Sequence, residues 1–323
     1  MDVSDAYQMR TALVRGKDSR CRSERYRMNQ HARWDILTGV GVTALGVAAG
    51  RAIESHRDGA LINDPYAEEF VQAARPRVPM PTRLDATGNL TLPWESMATY
   101  LGVRSRFFDE FFAGASAAGV TQVVLLAAGL DTRAFRLDWP AGTTVYELDA
   151  PKVLQFKDRV LAKQGAQAHC QRRTVAVDLR EAWPTAVRQA GFDPQRPTAW
   201  LAEGLLAYLT DETKDRLFAR VQDLSAAGSH IAVEHHEGDL MTRLRDPLLQ
   251  HMADQFGFDP TELWPPDQHF DPAQWLADHG WKVSTTRAVA LAQRYRRPLD
   301  EITQGPMRSS LLITARADRQ TGT

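Results

Sequence analysis

Four acidic residues stand at or just beyond the ends of four consecutive segments that have the pattern of buried β-strands. The segments are QVVLLAA, TTVYELD, RRTVAVD and TAWLAEG, and the acidic residues are Asp131, Asp149, Asp178 and Glu203. In an open parallel sheet, ligands bind beyond the carboxyl ends of the strands, so these side chains are expected at one rim. Such a ring suits a ligand that has hydroxyl and amino groups and a positive charge, and it would repel a pyrophosphate.

Gly129 follows the first segment, and its missing side chain would let a cofactor approach the backbone. Asp149 lies about twenty residues further on, the spacing at which an acidic group accepts hydrogen bonds from both ribose hydroxyls. Asp178, with Leu179 beside it, follows the third segment, near the expected position of an adenine amino group. These positions predict a nucleoside cofactor.

Charge separates two nucleoside cofactors. A nicotinamide dinucleotide needs a glycine-rich turn and a helix N-terminus without carboxylates, whereas the turn here is AAGLDTR, with Asp131 after the glycine. S-adenosylmethionine has no phosphate, carries a sulfonium cation, and has one carboxylate that needs a cation. Arg104, in GVRSRFFDE, is the candidate because a guanidinium can bind a carboxylate through two hydrogen bonds. The alternative for Arg104 is a surface ion pair with Asp109 or Glu110.

The elements that must position these residues follow an α/β pattern. Further strands are expected at HIAVEHH, KVSTTRAV and SSLLITAR, and the clearest helix is DETKDRLFARVQDLSAAG, with Asp211 as its N-cap and Gly228 at its end. Helices are also expected in DPYAEEFVQAA, with Asp64 as N-cap and Pro65 in the first helical position, and from about residue 95 to 113. We predict one domain over 34–318, divided into a helical cap (34–115), a cofactor-binding core (116–236), a lid or insertion after the fifth strand (237–280) and closing strands (281–318).

The composition bounds the function without naming it. The chain has 323 residues, 43% of them hydrophobic and 24% charged, and a net charge of −1, which favours neither nucleic acid nor a membrane surface as a partner. Cys21 and Cys170 form neither a disulfide framework nor a zinc-ligand spacing, which favours the cytoplasm. The segment 39–50 is too short to cross a bilayer and is expected to be a buried helix.

Residues 1–33 are basic and lack an apolar period, so we expect disorder. A nucleic-acid-binding arm and a start codon misassigned upstream of Met28 are the alternatives.

Seven segments in order carry a resemblance to a known family. They are LTGVGVTALGVAAGRAIES, LINDPYAEEFV, VRSRFFDEFF, VVLLAAGLDTRAFRL, TTVYELDAPKVLQFK, VAVDLREAWP and AWLAEGLLAYL. From Trp34 to about Ala317, the chain resembles the leucine carboxyl methyltransferase family, and within it the bacterial S-adenosylmethionine-dependent O-methyltransferases of actinobacteria. The resemblance implies a class I methyltransferase fold, with a Rossmann-like seven-stranded sheet that has one antiparallel strand at its edge, and a helical cap over the cofactor.

The resemblance also implies roles for individual residues. Arg104 would hold the methionine carboxylate of S-adenosyl-L-methionine, and Ala128, Gly129 and Asp131 would belong to the loop that lines the cofactor. Asp149 would bind the ribose, Asp178 and Leu179 the adenine, and Glu203 the methionine end near the sulfonium. Where the family usually has a glycine-rich turn after the first strand, this sequence has two alanines before the glycine.

Methyl transfer from a sulfonium is an in-line displacement, so the protein mainly aligns the acceptor and excludes water. A carboxylate acceptor is already an anion and needs no base, whereas an alcohol or phenol would need one. The candidate bases are His235 and His236 after the fifth strand and His269 in the insertion, and each of them could instead cap a strand or face solvent.

Three aromatic residues are candidates for the acceptor side. Tyr208 could orient the acceptor or simply pack, and Trp264 and Phe270 either line an apolar pocket or fix the insertion to the core. We expect O-methylation of a small molecule, with a carboxylate favoured. A hydroxyl or phenol acceptor, a protein C-terminal carboxylate, a nicotinamide oxidoreductase and a non-catalytic cofactor-binding homologue are the alternatives, and the oligomeric state stays open.

Overall fold

The computed structural model describes residues 36–37, 40–84 and 92–238, and then 250, 253–254, 257, 259–265, 269–297 and 305–318. The predictions for the tail 1–33 and for much of the insertion lie outside these residues.

Three helices precede the sheet, as the sequence predicts. They are α1 (Val40–Ser55), α2 (Ala67–Ala74) and α3 (Leu92–Ala117). The expected N-cap of α2 is wrong: the helix begins two residues after Pro65, and the carboxylate of Asp64 pairs with Arg51 at 3.0 Å. Its other oxygen, Oδ1, accepts a hydrogen bond from the N–H of Tyr66 at 3.2 Å, so Asp64 lies in a turn that precedes the helix. Among the described residues, no helix combines the length and the apolarity that crossing a bilayer requires.

From β1 onward the chain alternates strands and helices. The elements are β1 (Gln122–Leu126), α4 (Arg133–Arg136), β2 (Thr144–Asp149), α5 (Pro151–Lys163), β3 (Gln171–Ala176), α6 (Trp183–Gln189), β4 (Thr198–Ala202), a 3-10 turn (Leu206–Tyr208), α7 (Asp211–Asp223), β5 (His230–His236), α8 (Pro260–Leu263), α9 (Pro272–Asp278), β6 (Trp281–Arg287), α10 (Ala288–Arg294), α11 (Gly305–Arg308) and β7 (Ser310–Ala317). All the predicted strands are present, with shifts of a few residues at their ends.

The seven strands form one sheet in the order β3-β2-β1-β4-β5-β7-β6, which confirms the α/β fold. Strands β1 to β5 pair in parallel, and β7 is antiparallel to both β5 and β6. The antiparallel strand expected at the edge therefore lies one position inside it. The strand at that edge is β6, which runs in the direction of the parallel strands.

The sheet separates two hydrophobic clusters because alternate side chains of a strand point to opposite faces. In β1, Val123 and Leu125 pack with residues of α1, α3 and α5, whereas Val124 and Leu126 pack with residues of α6, α7 and α9. Helices therefore cover both faces, and the loops at the carboxyl ends of β1 to β5 are left to form a site.

Helix α7 differs from the prediction at both ends. Its N-cap is Thr210, whose hydroxyl oxygen accepts a hydrogen bond from the backbone N–H of Thr213, while Asp211 lies in the first turn. The helix ends at Asp223 rather than near Gly228. Ser225 hydrogen-bonds through its hydroxyl to the carbonyl oxygen of Val221 at 2.6 Å, just beyond the last turn. The N-terminal difference arises because a hydroxyl N-cap followed by an acidic first turn has nearly the same sequence pattern as an acidic N-cap.

Candidate cofactor site

The loop after β1 has an unusual backbone. Ala127 has φ +55° and Gly129 has φ +49°, so both lie in the left-handed region that favours glycine. The N–H of Ala128 donates to the carbonyl oxygen of Leu148 in β2 at 3.0 Å, which anchors the loop to the sheet. Among the described residues other than its chain neighbours, a Cβ added to Gly129 would have only the Ala127 carbonyl oxygen within 4 Å, at 3.9 Å. The loop thus presents open space in front of its backbone.

Asp149 at the end of β2 is tied to this loop. Its Oδ2 accepts a hydrogen bond from the N–H of Gly129 at 2.7 Å, and its Oδ1 accepts one from the N–H of Ala150 at 2.6 Å. Burial raises the pKa of Asp149, although the two backbone N–H groups act in the opposite direction. Each carboxylate oxygen has a second lone pair, so Asp149 can accept further hydrogen bonds from ribose hydroxyls.

Arg104 projects from α3 and is buried between two carboxylates. Its Nε lies 2.8 Å from Oε1 of Glu203, and its Nη1 donates to both oxygens of Glu234 at 3.0 Å. The alternative surface pairing is wrong, because Glu110 pairs with Arg106 at 2.8 Å and Asp109 lies against other arginines. Arg104 therefore lies with Glu203 and Glu234 at the carboxyl ends of β4 and β5.

Arg133, the first residue of α4, is a site residue that sequence reasoning missed. Its Nη1 lies 2.7 Å from Oε2 of Glu203 and also contacts the carboxylate of Asp131, and its Nε donates to Asp109 at 2.7 Å. Burial opposes ionisation of Asp131, but the charges of Arg133, Lys157 and Arg51 and the backbone hydrogen bond from Arg133 together outweigh it and lower the pKa of Asp131 to about 2. One guanidinium therefore joins the glycine loop, the end of β4 and helix α3.

These contacts form a single network, which we call the carboxylate–arginine cluster. Its members are Asp109, Asp131, Glu203, Glu234, Arg104, Arg133 and Arg136. The rim of acidic residues expected from the sequence is thus largely neutralised by arginines at Asp131 and Glu203. Four carboxylates face three guanidinium groups, so the cluster keeps an excess of one negative charge.

Asp178 and Leu179 follow β3 on the neighbouring side of the site. The N–H of Val177 donates to the carbonyl oxygen of Asp149 at 2.9 Å, so the end of β3 lies beside the end of β2. The carboxylate of Asp178 is half-buried and pairs with Arg180, whose Nε donates to Oδ1 at 2.8 Å. Leu179 is buried in the cluster that packs with α6 and α7.

The two histidines at the end of β5 face opposite sides of the sheet. His235 lies on the side of Val233 and α7, where burial lowers its pKa to about 4 and the charges of His236 and Lys214 act in the same direction. His236 lies on the other side, with its Nε2 3.4 Å from Oε1 of Glu234. Only His236 therefore shares a face with Arg104.

The remaining acceptor-side candidates hold the insertion and the helices together. The backbone N–H of His269 donates a hydrogen bond to the carboxylate of Asp211 at 2.6 Å, and His269 is exposed. The hydroxyl of Tyr208 donates to Thr43 of α1 at 3.0 Å, and its ring lies 6.3 Å from that of Trp264. Phe270 contacts the ring of Phe218 at 5.2 Å, which places it in the core on the α7 side.

Comparisons with known proteins agree with the fold and identify the family. Residues 44–222 match the family model described as leucine carboxyl methyltransferase. A protein of Saccharopolyspora erythraea is 49% identical over 295 residues, which cover 90% of this chain and 100% of that protein. A protein of Rhodococcus jostii is 51% identical over 272 residues, which cover 83% of this chain and 92% of the relative. Both carry the name "Putative S-adenosyl-L-methionine-dependent methyltransferase".

A solved structure supports the fold alone. The crystal structure of a DUF574 family protein from Streptomyces avermitilis has a TM-score of 0.50 and 15% sequence identity, and the match covers 84% of this chain and 96% of that chain. The assignment to a family rests on the family model and the two relatives of about 50% identity. The chain belongs to the leucine carboxyl methyltransferase family.

Proposed function

We propose that this S-adenosyl-L-methionine-dependent methyltransferase methylates an oxygen atom of a small molecule, and that the acceptor is a carboxylate. When bound, S-adenosylmethionine supplies an electrophilic methyl group on a sulfonium sulfur. The protein has three tasks: to bind the nucleoside, to hold the amino-acid end, and to align an acceptor oxygen in a site that excludes water.

The residues at the ends of β1 to β3 suit the nucleoside. Gly129 leaves its backbone accessible, and Asp149 beside it has lone pairs for two ribose hydroxyls. Asp178 on the adjacent strand can accept a hydrogen bond from an adenine amino group, with Leu179 behind it. None of these groups would favour a pyrophosphate, because the loop carries Asp131 where a dinucleotide site needs bare N–H groups.

Arg104 and Glu203 suit the amino-acid end of the cofactor. That end is a zwitterion, and the two side chains offer one charge of each sign within 2.8 Å of each other. Arg104 would pair with the carboxylate and Glu203 with the ammonium group. The excess negative charge of the carboxylate–arginine cluster also matches the net positive charge of a sulfonium cofactor.

The observation that carries the choice of acceptor is the position of His235, which lies on the face of the sheet opposite Arg104 and is largely buried there. Its pKa of about 4 leaves the imidazole neutral at physiological pH but too weakly basic to take a proton from an alcohol or phenol efficiently. A carboxylate acceptor makes no such demand, because it is already ionised. Tyr208 and His269 make hydrogen bonds to Thr43 and Asp211 respectively, which suits them to shaping the acceptor pocket.

The test is a transfer assay that distinguishes esters from ethers. The protein is incubated with methyl-tritiated S-adenosylmethionine and a small-molecule extract of Saccharopolyspora erythraea, and the product is then treated with mild alkali. A methyl ester releases the label as volatile methanol, whereas a methyl ether or methylamine retains it. The Asp149→Ala variant serves as the control that should transfer nothing. Alkali-stable label would overturn the carboxylate proposal, and label that appears on protein when a whole-cell lysate replaces the extract would indicate a protein acceptor.

One observation favours a second candidate, methylation of a hydroxyl or phenol. His236 lies 3.4 Å from the carboxylate of Glu234 on the same face as Arg104, and a carboxylate neighbour orients an imidazole for proton transfer. If His236 is the base, alkali-stable product should appear and the His236→Gln variant should lose it. With a carboxylate acceptor, the same variant should keep a rate within about threefold of the parent.

A further inference from the structure

Glu234 is a buried carboxylate at the end of β5 that the proposed function does not yet use. It accepts hydrogen bonds from three donors on two elements: from Nη1 of Arg104 and the hydroxyl of Tyr100, both on α3, and from the backbone N–H of Gly204 after β4 at 2.7 Å. Burial would raise its pKa, but the charge of Arg104 together with the contacts from His236 and Tyr100 outweighs burial and holds that pKa far below the usual range of a glutamate. Glu234 is therefore an anion.

The partners of Glu234 are themselves fixed. The hydroxyl oxygen of Tyr100 lies 2.8 Å from Oγ of Ser310, the first residue of β7, and Ser310 stands opposite His236 in the register of β5 and β7. Tyr100 donates its proton to the carboxylate, so the serine hydroxyl donates to Tyr100. Strand β7 thus supports Glu234 from the side of β5 opposite β4.

The position of Gly204 makes this carboxylate important. Gly204 directly follows Glu203 and has φ +64°, so the hydrogen bond from its N–H to Oε2 of Glu234 sets the backbone on which Glu203 stands. The hydrogen bonds between Glu234 and Arg104 fix the position of the Arg104 guanidinium. A single rigid group therefore determines where the paired cation and anion lie relative to each other.

We propose that Glu234 is the positioning residue for the amino-acid end of the cofactor: it holds Arg104 and the Glu203–Gly204 backbone at the separation that a bound zwitterion requires. This inference rests on the proposed function of Arg104 and Glu203. Glutamine at position 234 has nearly the same shape, but it would turn an N–H2 group toward donors that need an acceptor. The guanidinium or the Gly204 backbone must then shift.

The experiment compares two adenosine ligands by calorimetry. S-adenosylhomocysteine carries the amino-acid end, and 5′-methylthioadenosine lacks it. The Glu234→Gln variant should bind S-adenosylhomocysteine at least about tenfold more weakly than the parent and bind 5′-methylthioadenosine within about twofold of it. Equal weakening of both ligands would show a merely structural role and overturn the proposal, and so would unchanged or tighter binding of S-adenosylhomocysteine.

A second variant removes one brace and leaves the charge. Tyr100→Phe deletes the hydroxyl that donates to Glu234 but keeps the bonds from Arg104 and Gly204, so it should weaken S-adenosylhomocysteine binding about threefold and leave 5′-methylthioadenosine unchanged. Should Glu234→Gln fail to fold, Tyr100→Phe decides the question alone. Identical effects on the two ligands in that variant would contradict the proposal.

The matched control is Glu54→Gln. Glu54 is also a buried carboxylate that accepts from a backbone N–H, that of Leu61 at 2.8 Å, and that pairs with two arginines, Arg57 and Arg297, none of them in the carboxylate–arginine cluster. Both ligands should bind this variant as they bind the parent. A parent protein that binds neither ligand would refute the proposed function itself, whereas a parent that binds both and a Glu234→Gln variant that does not discriminate them would refute only the positioning role.

Discussion

The Nε atom of Arg104 lies 2.8 Å from Oε1 of Glu203, so the two side chains assigned to opposite charges of the cofactor are each other's partners. A zwitterion that binds here would replace this ion pair by two others, one between Arg104 and its carboxylate and one between Glu203 and its ammonium group. Because both charges are already desolvated in the protein, much of the cost of burying them is met on folding rather than on binding. Selectivity for an amino-acid end then depends on geometry, which a guanidinium provides better than an ammonium group.

Arg104→Lys should therefore weaken binding of S-adenosylmethionine by roughly 10- to 100-fold. A lysine ammonium cannot reproduce the planar arrangement in which Nε contacts Glu203 while Nη1 contacts Glu234. The control is Arg106→Lys, two residues further along α3, where the arginine is exposed and pairs only across one helical turn with Glu110. Titration calorimetry on both variants is the measurement, and equal affinities would remove Arg104 from the site.

Asp149→Asn should weaken binding of S-adenosylhomocysteine at least about tenfold and should also lower stability, because one of the two backbone N–H groups then faces an amide N–H2. The asparagine side-chain oxygen can still accept from one backbone N–H, but it loses the charge and half of the acceptor capacity. The pH dependence gives an independent check. Burial raises the pKa of Asp149, so affinity should begin to fall on acidification at a higher pH than the ordinary aspartate value of about 3.9 would give. That feature should vanish in Asp149→Asn, and an identical pH profile in parent and variant would contradict the assignment.

Asp131 should contribute to acid stability. Its pKa in the folded protein, about 2, is below the ordinary value of 3.8, so its contribution is fully present above about pH 4 and is lost as the pH falls toward 2. Asp131→Asn should cost on the order of 2 kcal/mol of unfolding free energy at neutral pH and should flatten the stability curve between pH 4 and 2. Urea unfolding across that range measures both. The exposed Asp138→Asn variant is the control, and a similar loss there would argue against a specific role for the Asp131–Arg133 pair.

The strands and the acidic residues at their ends could be predicted because both depend on local pattern. A run such as Val123 to Leu126 is buried on both faces of a parallel sheet, and the first polar residues after it must lie at the rim. The position of β7 inside the edge could not be predicted, because the order of strands depends on pairing between distant segments. The cap of α7 was misplaced by one residue, since Thr210 and Asp211 are both good N-caps.

The arginine partners of the acidic residues could not be predicted from the sequence. Arg133 reaches Glu203 across 70 residues, and Arg104 reaches Glu234 across 130, so no spacing rule connects them. Glu234 directly follows an apolar run in β5 and precedes two histidines, which are the more obvious candidates for catalysis. The available signal was a charged residue that continues a buried apolar run, because such a residue requires a buried partner of opposite charge.

Ala127→Gly should stabilise the protein by about 1 kcal/mol. Ala127 is held at φ +55°, where a Cβ is crowded by the backbone, and glycine adopts this conformation without that cost. Ala128 is not among the residues with positive φ, so Ala128→Gly at the next position should instead destabilise by about 0.5–1 kcal/mol through the greater entropy of the unfolded chain. Urea unfolding of the two variants beside the parent gives both numbers under the same conditions. If Ala127→Gly were the less stable of the two, the left-handed conformation at the start of the loop would be wrong, and with it the orientation in which the loop presents Gly129 to a ligand.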